Sequence, residues 1–399
     1  MSSVYFLDKL LDGAEVEWLP LVKIAKIKHG KDWKGLQSGS IPVYGSGGIM
    51  EYVDEYSYNK PTVLIPRKGS ITNIFYVDEP FWNVDTIFYT DIDCSRVIPK
   101  YLYHFMKTIN LMALDTGSGR PSLTQAILNE ILIPIPCPEN RKKSLEIQAE
   151  IVRLLDTFVE LVAELTAELA ARKKQYSYYR DQLLSFEGRE VEWRALGDIG
   201  EFFRGKRFTK ADYVEEGVSV IHYGEIYTRY GVWADYAFSQ VRAEMGGALR
   251  YAEPGDVVLT DVGETVEEVG KAVAWLGGDR VAIHDHCYAF RHSMNPKFVS
   301  YCMQTQSFIA KKAKYVARTK VNTLLISGFS KIEIPVPFPG DPERSLAEQA
   351  RIVAILDRFD VLTNSVSKGL PREIALRQKQ YEHYRDRLLS FHKPEEAVA

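Results

Sequence analysis

The chain of 399 residues is 46% hydrophobic and 26% charged, with a formal net charge of −3. That length suits two or three folded domains, and that balance excludes a disordered chain and a uniformly basic surface, while leaving local basic clefts open. It has no apolar run of about 18 residues, and its start, MSSVYFLDKLLDGAEVEW, has no basic segment leading into an apolar core, so neither a membrane span nor a secretory leader is expected.

A first globular unit is read over residues 1–147. It begins with EVEW (15–18) and continues through YGSGGIMEY (44–52). A nucleotide-binding G-x-G should follow a strand and open a helix. Here β-branched and aromatic residues with an acidic turn follow, so a hairpin is expected. TVLIP (62–66) reads as a strand leading into the loop RKGS. YLYHFMKTI (101–109) reads as an amphipathic helix, DTGSGRPSLT (115–124) as a polar loop and IPIPCP (133–138) as a closing strand.

A long helix is predicted over 148–186. Ile151, Leu155, Phe158, Val162, Leu165 and Leu169, then Tyr176, Tyr179 and Leu183, recur at alternating spacings of four and three, with Arg172 in the one polar slot. That is a heptad seam seeking a partner helix. Within it stands a tandem VAEL-TAEL (162–169), in which each four-residue unit adds about 6 Å.

A second unit follows over 187–344. EVEW recurs at 190–193, DVVLT (256–260) leads into DVGET, FVSYCMQTQSFIAKKA starts at Phe298, the loop ARTKVNT spans 317–323, and IPVPFP spans 334–339. A second helix is predicted over 345–392, before a tail at 393–399. Its seam is Ile352, Leu356, Phe359, Thr363, Val366 and Leu370, then Tyr381, Tyr384 and Leu388. Pro371 should break or kink it.

These segments repeat in order. QAEIVRLLDTFVEL at 148 matches QARIVAILDRFDVL at 349, an offset of 201, whereas KQYSYYRDQLLSF at 174 matches KQYEHYRDRLLSF at 379, an offset of 205. The second helical region is therefore four residues longer, near Gly369–Pro371. DKLLDGAEVEW at the start resembles DQLLSFEGREVEW from Asp181, so the C-terminal RDRLLSF would lead into the N-terminus. The reading is α+β: two similar α/β domains separated by two long antiparallel helices, in a circular pseudo-two-fold order with the termini close together.

Chemistry of catalysis is missing. The sequence has no GxxxxGK[ST] phosphate loop, no amine-binding Asn/Asp-Pro-Pro-Tyr/Phe and no PD…(D/E)xK cluster. His284-Asp285-His286-Cys287 resembles a metal patch, but on a strand the two histidines share one face and no second ligand pair supports them, so no metal is assigned. Cys94, Cys137, Cys287 and Cys302 form no CxxC pair, so no disulfide framework is expected and a reducing cytoplasm is the default.

The globular faces differ while the helices match, which points to two ligands or two half-sites on one frame. The candidate DNA contacts are the polar and basic loop residues: Arg67, Lys68, Ser70, Thr72, Asn73, Arg120 and Ser122 in the first unit, and Arg204, Lys206, Arg207, Thr260, Arg318, Lys320 and Asn322 in the second. Arg pairs bidentately with guanine and Asn with adenine, whereas Lys, Ser and Thr more often hold phosphates.

EVEW near each unit's start, IPIPCP and IPVPFP at each end, the QAEIVRLLDTF and QARIVAILDRF openings and the KQY…LLSF closers together resemble the specificity subunit of type I restriction–modification systems, HsdS. The tandem VAEL-TAEL resembles the subgroup with TAEL-type repeats in the central helix. The resemblance implies a non-catalytic DNA-binding subunit whose two target-recognition domains each read half of a split, asymmetric site in duplex DNA. It implies helices that space those domains and dock two adenine-N6 methyltransferase (modification) subunits, which restriction (translocase/nuclease) subunits then join. S-adenosylmethionine, ATP and Mg²⁺ would belong to those partners and no cofactor to this chain. Two alternatives remain open at this stage: a coiled-coil scaffold that binds no DNA, testable by salt-dependent duplex binding, and a self-contained methyltransferase, testable by S-adenosylmethionine binding.

Overall fold

The computed structural model describes residues 11, 13, 15–116, 119–318, 321–364 and 369–392; the candidate contact Lys320, the seam residue Val366 and the tail lie outside them. The chain divides into two compact units, Met1–Leu165 with Ile374–Ala399, and Thr166–Glu373. Each mixes sheets with short helices, and the helix Arg141–Ser185 runs from one into the other. No helix among the described residues is long and apolar enough to cross a membrane, and all four cysteines are free.

The repeated motifs find each other inside each unit. In the first, Val16–Pro20 pairs antiparallel with Leu132–Pro136, Trp18 facing Pro134. In the second, Val191–Ala195 pairs with Glu333–Pro337 in the same register, Trp193 facing Pro335. Prolines donate no ladder hydrogen bond, which confines such strands to edges, and both ladders are two-stranded. The strand then turns into the helix through a left-handed residue, Cys137 (φ 49°) in one unit and Phe338 (φ 47°) in the other.

The first unit carries a four-stranded sheet in the order Ala25–Lys28, Ile87–Ile92, Thr62–Pro66, Phe75–Val77, and a three-stranded one built on Ser38–Gly45. Ser38–Gly45 and Gly48–Val53 form the hairpin expected at YGSGG, with Gly45 opposite Gly48 and no helix following. The second unit has a five-stranded sheet in the order Gly200–Arg204, Cys287–His292, Val257–Thr260, Ala272–Trp275, Trp233–Ala234. Beside it stand a second five-stranded sheet and a three-stranded one. The stretch from Phe298 lies in two helices, Pro296–Cys302 and Gln306–Lys312, the second capped by Thr305, whose hydroxyl accepts the Phe308 N–H.

The central helix starts at Arg141, seven residues before Gln148, because Asn140 caps it by accepting the Lys143 N–H. Asp341 does the same for Arg344 at the start of Pro342–Asn364. The helix expected over 345–392 is two helices, Pro342–Asn364 and Leu370–Leu388. Gly369 takes φ 76°, where a β-carbon would meet the Val361 and Leu362 carbonyl oxygens at 2.7 Å, and Pro371 lies in the first turn of the new helix.

Ile151 and Leu155 are buried in the first unit's core with Tyr381 and Leu388, and Phe158 stacks on Tyr384 at 5.1 Å. Ile352 and Leu356 are buried in the second core with Tyr176 and Leu184, and Phe359 stacks on Tyr179 at 5.9 Å. Between them Val162, Leu165 and Leu169, like Leu370, are only half-buried. The C-terminal segment belongs to the first unit, where the Trp18 indole donates to the His392 carbonyl at 3.2 Å.

Candidate nucleic-acid interface

The two sheets carry the same frame. Lys28 and Leu64 flank Tyr89 as Phe203 and Val258 flank Ala289. The residues at the ends of these strands are therefore equivalent: His29 with Arg204, and Arg67 with Asp261. Backbone bonds agree, since Leu123 N–H donates to the Arg67 carbonyl and Leu324 N–H to the Asp261 carbonyl. The polar loop of each unit thus returns to the end of the same strand, bridging Lys68 with Ser122 in one and Val262 with Thr323 in the other.

In the first unit this return forms a cleft lined by Lys68, Gly69, Arg120 and Ser122 together with Ser46 and Thr86. The last two were not among the sequence candidates; Ser46 sits in the YGSGG turn, whose glycines were the available signal. Asn73 is tied to this turn by donating to the Ser46 carbonyl at 3.2 Å. Ser70 and Thr72 are exposed on the same loop. Arg67 is half-buried, its guanidinium reaching the Asp85 carbonyl at 3.5 Å.

In the second unit the equivalent position is acidic. Asp261 is buried, one carboxylate oxygen accepting from Arg204 at 3.1 Å and the other from His286 Nδ1 at 3.0 Å. Lys206 and Arg207 are exposed beside them. Gly205 is required between, because a β-carbon there would lie 2.2 Å from the Ile283 and His284 carbonyl oxygens. Arg207, Tyr223 and His286 line one cleft, and Tyr223 and His286 also wall a neighbouring one with Tyr227, Val262, Val321 and Thr323. Arg318 is exposed on the adjoining hairpin.

One candidate is corrected. Thr260 is fully buried, its hydroxyl against the Tyr227 hydroxyl, so it shapes the cleft from below. Asn322 is half-buried and donates one amide N–H to the Glu264 carbonyl at 2.7 Å, which fixes the loop. His286 is legible in the sequence as a structural or DNA-contacting histidine, whereas Asp261 and Tyr223 are not, because their placement beside it depends on segments far apart in the chain.

His284 and His286 lie in a turn, not on a strand; Cys287 N–H closes it on the His284 carbonyl. His284 Nε2 lies 3.1 Å from the Phe208 carbonyl, and Nδ1 lies 3.1 Å from the His286 N–H and 2.9 Å from the Asp285 carboxylate, so both ring nitrogens are engaged within the protein. Among the described residues no group of three or more His, Cys, Asp or Glu side chains is arranged to hold a metal.

Burial pushes the imidazoles of His284 and His292 down to about 4. Such a histidine takes up its proton on unfolding as pH falls, so its contribution is full above about 6.5 and is lost between about 6.5 and about 4. The second unit is expected to melt at a lower temperature at pH 5 than at pH 7. H292N, which keeps an acceptor for the Met294 N–H, should show a smaller drop; an equal drop in scanning calorimetry would rule out His292 as a source.

A family model, the type I restriction modification DNA specificity domain, matches residues 20–172 and 188–376. The chain is 35% identical to the EcoR124I/EcoR124II type I restriction enzyme specificity subunit of Escherichia coli, covering 99% of each. It is 32% identical to a putative type I specificity subunit of Haemophilus influenzae, covering 97% of this chain and 98% of that one. Among solved structures, the S subunit of a type I system from M. genitalium aligns with TM-score 0.53 at 16% identity over 96% of this chain and 98% of that one. A chain from a study of type I system assembly and conformational transition aligns with TM-score 0.59 at 16% identity over 94% and 97%.

Proposed function

The chain belongs to the type I restriction–modification DNA specificity family, and from that premise we propose that it selects the DNA target of such a complex, each unit reading one half of a split, asymmetric site. The observation that carries this reading is one strand frame used twice with opposite charge at the same position, Arg67 in one unit and Asp261 in the other. A frame that served only as scaffold would have no need of unlike side chains at matched loop ends, so the scaffold reading is disfavoured.

Residues 1–147 and 187–344 serve as the recognition domains, and the helices as dock for two modification subunits and as spacer. Restriction subunits join that core. This chain performs no reaction; methyl transfer with S-adenosylmethionine, and ATP- and Mg²⁺-dependent work, fall to the partners. The tandem VAEL-TAEL supports placing it in the subgroup with TAEL repeats.

The test is to express the chain with modification subunits in a host and map methylated adenines. A bipartite motif with unread base pairs between its halves is expected, and methylation without a motif would defeat the reading. Arg67→Ala and Arg318→Ala are each expected to weaken duplex binding and to flatten its salt dependence by about one charge. Unchanged affinity in both would remove these loops from the interface.

A further inference from the structure

We propose that Arg204 is the guanine-reading residue of the second unit, and that Asp261 positions it; this rests on the reading of DNA target recognition given above. The Arg204 guanidinium is anchored along one edge. Nε donates to the Asp285 carbonyl at 2.8 Å and one terminal nitrogen to the Asp261 carboxylate at 3.1 Å. Its side chain is nonetheless 50% exposed, while that of Asp261 is only 5% exposed. These bonds leave out the N–H groups that project end-on, the pair that fits O6 and N7 of guanine.

Charge decides between a base and a phosphate. Asp261 offsets the positive charge of Arg204, which makes it a poor phosphate clamp but keeps its directional donors for the neutral acceptors of a base edge. Lys206 and Arg207, exposed on the next turn of chain, suit phosphates instead. Asp261 itself is fixed from all sides: by His286 Nδ1 at 3.0 Å, by its own N–H donating to the His286 carbonyl at 3.1 Å, and by Leu324 N–H donating to its carbonyl at 2.7 Å. Holding a long side chain in one geometry before binding removes the entropy otherwise lost on contact.

The first unit shows that this is a feature of one half. There the equivalent of Arg204 is His29, packed edge-on to Phe88 at 5.0 Å, and the equivalent of Asp261 is Arg67. Arg204 lies over Tyr288, the counterpart of Phe88. One scaffold position has exchanged a cation for an anion and taken its cation from the strand two places away in the sheet, so the halves present unlike groups to the bases.

The experiment is selection of duplexes from a random library by the full chain, with sequencing of bound DNA, for the unaltered chain, R204K, D261N and K206A. R204K keeps the charge and loses the planar fork. It is expected to lose about tenfold in preference for guanine at one position of one half-site, leaving the other half-site and the salt dependence unchanged. D261N is expected to relax the same position without weakening binding to random duplex, which a purely structural role for Asp261 would not produce. K206A should weaken all sequences alike. An R204K motif identical to that of the unaltered chain, or a uniform loss across every position, would overturn the assignment. If the unaltered chain enriches no sequence, target recognition itself falls, and this assignment with it.

Discussion

Deleting residues 166–169 is expected to shorten the gap between the two halves of the recognised site by one or two base pairs. The central helix is continuous over 45 residues, and four residues remove about 6 Å of it against about 3.4 Å per base-pair step. Two features make the deletion a clean length change. It removes one copy of a tandem repeat, so the residues before and after the join keep a helix-forming pattern. It also falls between the two buried stretches of the seam: Ile151 and Leu155 on one side, Tyr176 and Leu184 on the other. Thr166, Ala167 and Glu168 are exposed and Leu169 is half-buried, so little core is lost. Mapping methylated adenines for the deletion variant beside the full chain is the check, and an unchanged gap would show that the length of this helix does not set the spacing.

The frame was legible in the sequence because its signals are local or repeated. Heptad spacing marks Ile151, Leu155 and Phe158, and a doubled motif marks Val16–Pro20 and Leu132–Pro136 before any partner is known. The break at Gly369–Pro371 was legible for the same reason, since backbone chemistry at those two residues allows little else. The start at Arg141 was hidden because the seam begins later than the cap. The interface was legible only as composition. A basic residue in a loop does not reveal that Thr260 turns inward to Tyr227, or that Asp261 draws Arg204 across from another strand. The first depends on a helix 33 residues away and the second on a strand 57 residues away, which no local pattern encodes.

Gln148→Ala is expected to destabilise the first unit by about 3 kcal/mol, and Gln349→Ala the second by about 2 kcal/mol. Both glutamines are buried at matched positions, 0% and 1% exposed. Each amide oxygen accepts a backbone N–H from the chain leading into the short helix beside it, Ile98 at 2.9 Å and Asn295 at 2.8 Å, and each amide nitrogen donates to a serine one turn back. Gln148 also donates to the Arg96 carbonyl at 3.0 Å, so its loss strands one more buried group. Each stranded group costs about 1–3 kcal/mol, and relaxation of the chain ends recovers part of it. The nearby pairs Glu150–Arg153 and Glu348–Arg351 lie toward solvent, so E150A should cost about 0.5 kcal/mol or less. In units of this size, 2–3 kcal/mol lowers the melting temperature by roughly 5–10 °C. Hydrogen exchange should also report faster opening at Ile98 in Q148A and at Asn295 in Q349A, each confined to its own unit. Melting of Q148A indistinguishable from E150A would mean that the glutamine fills space without anchoring the helix. If it does anchor it, the motif that recurs as QAEIV and QARIV is explained by the hydrogen bonds that fasten the short helix of each unit to the long one.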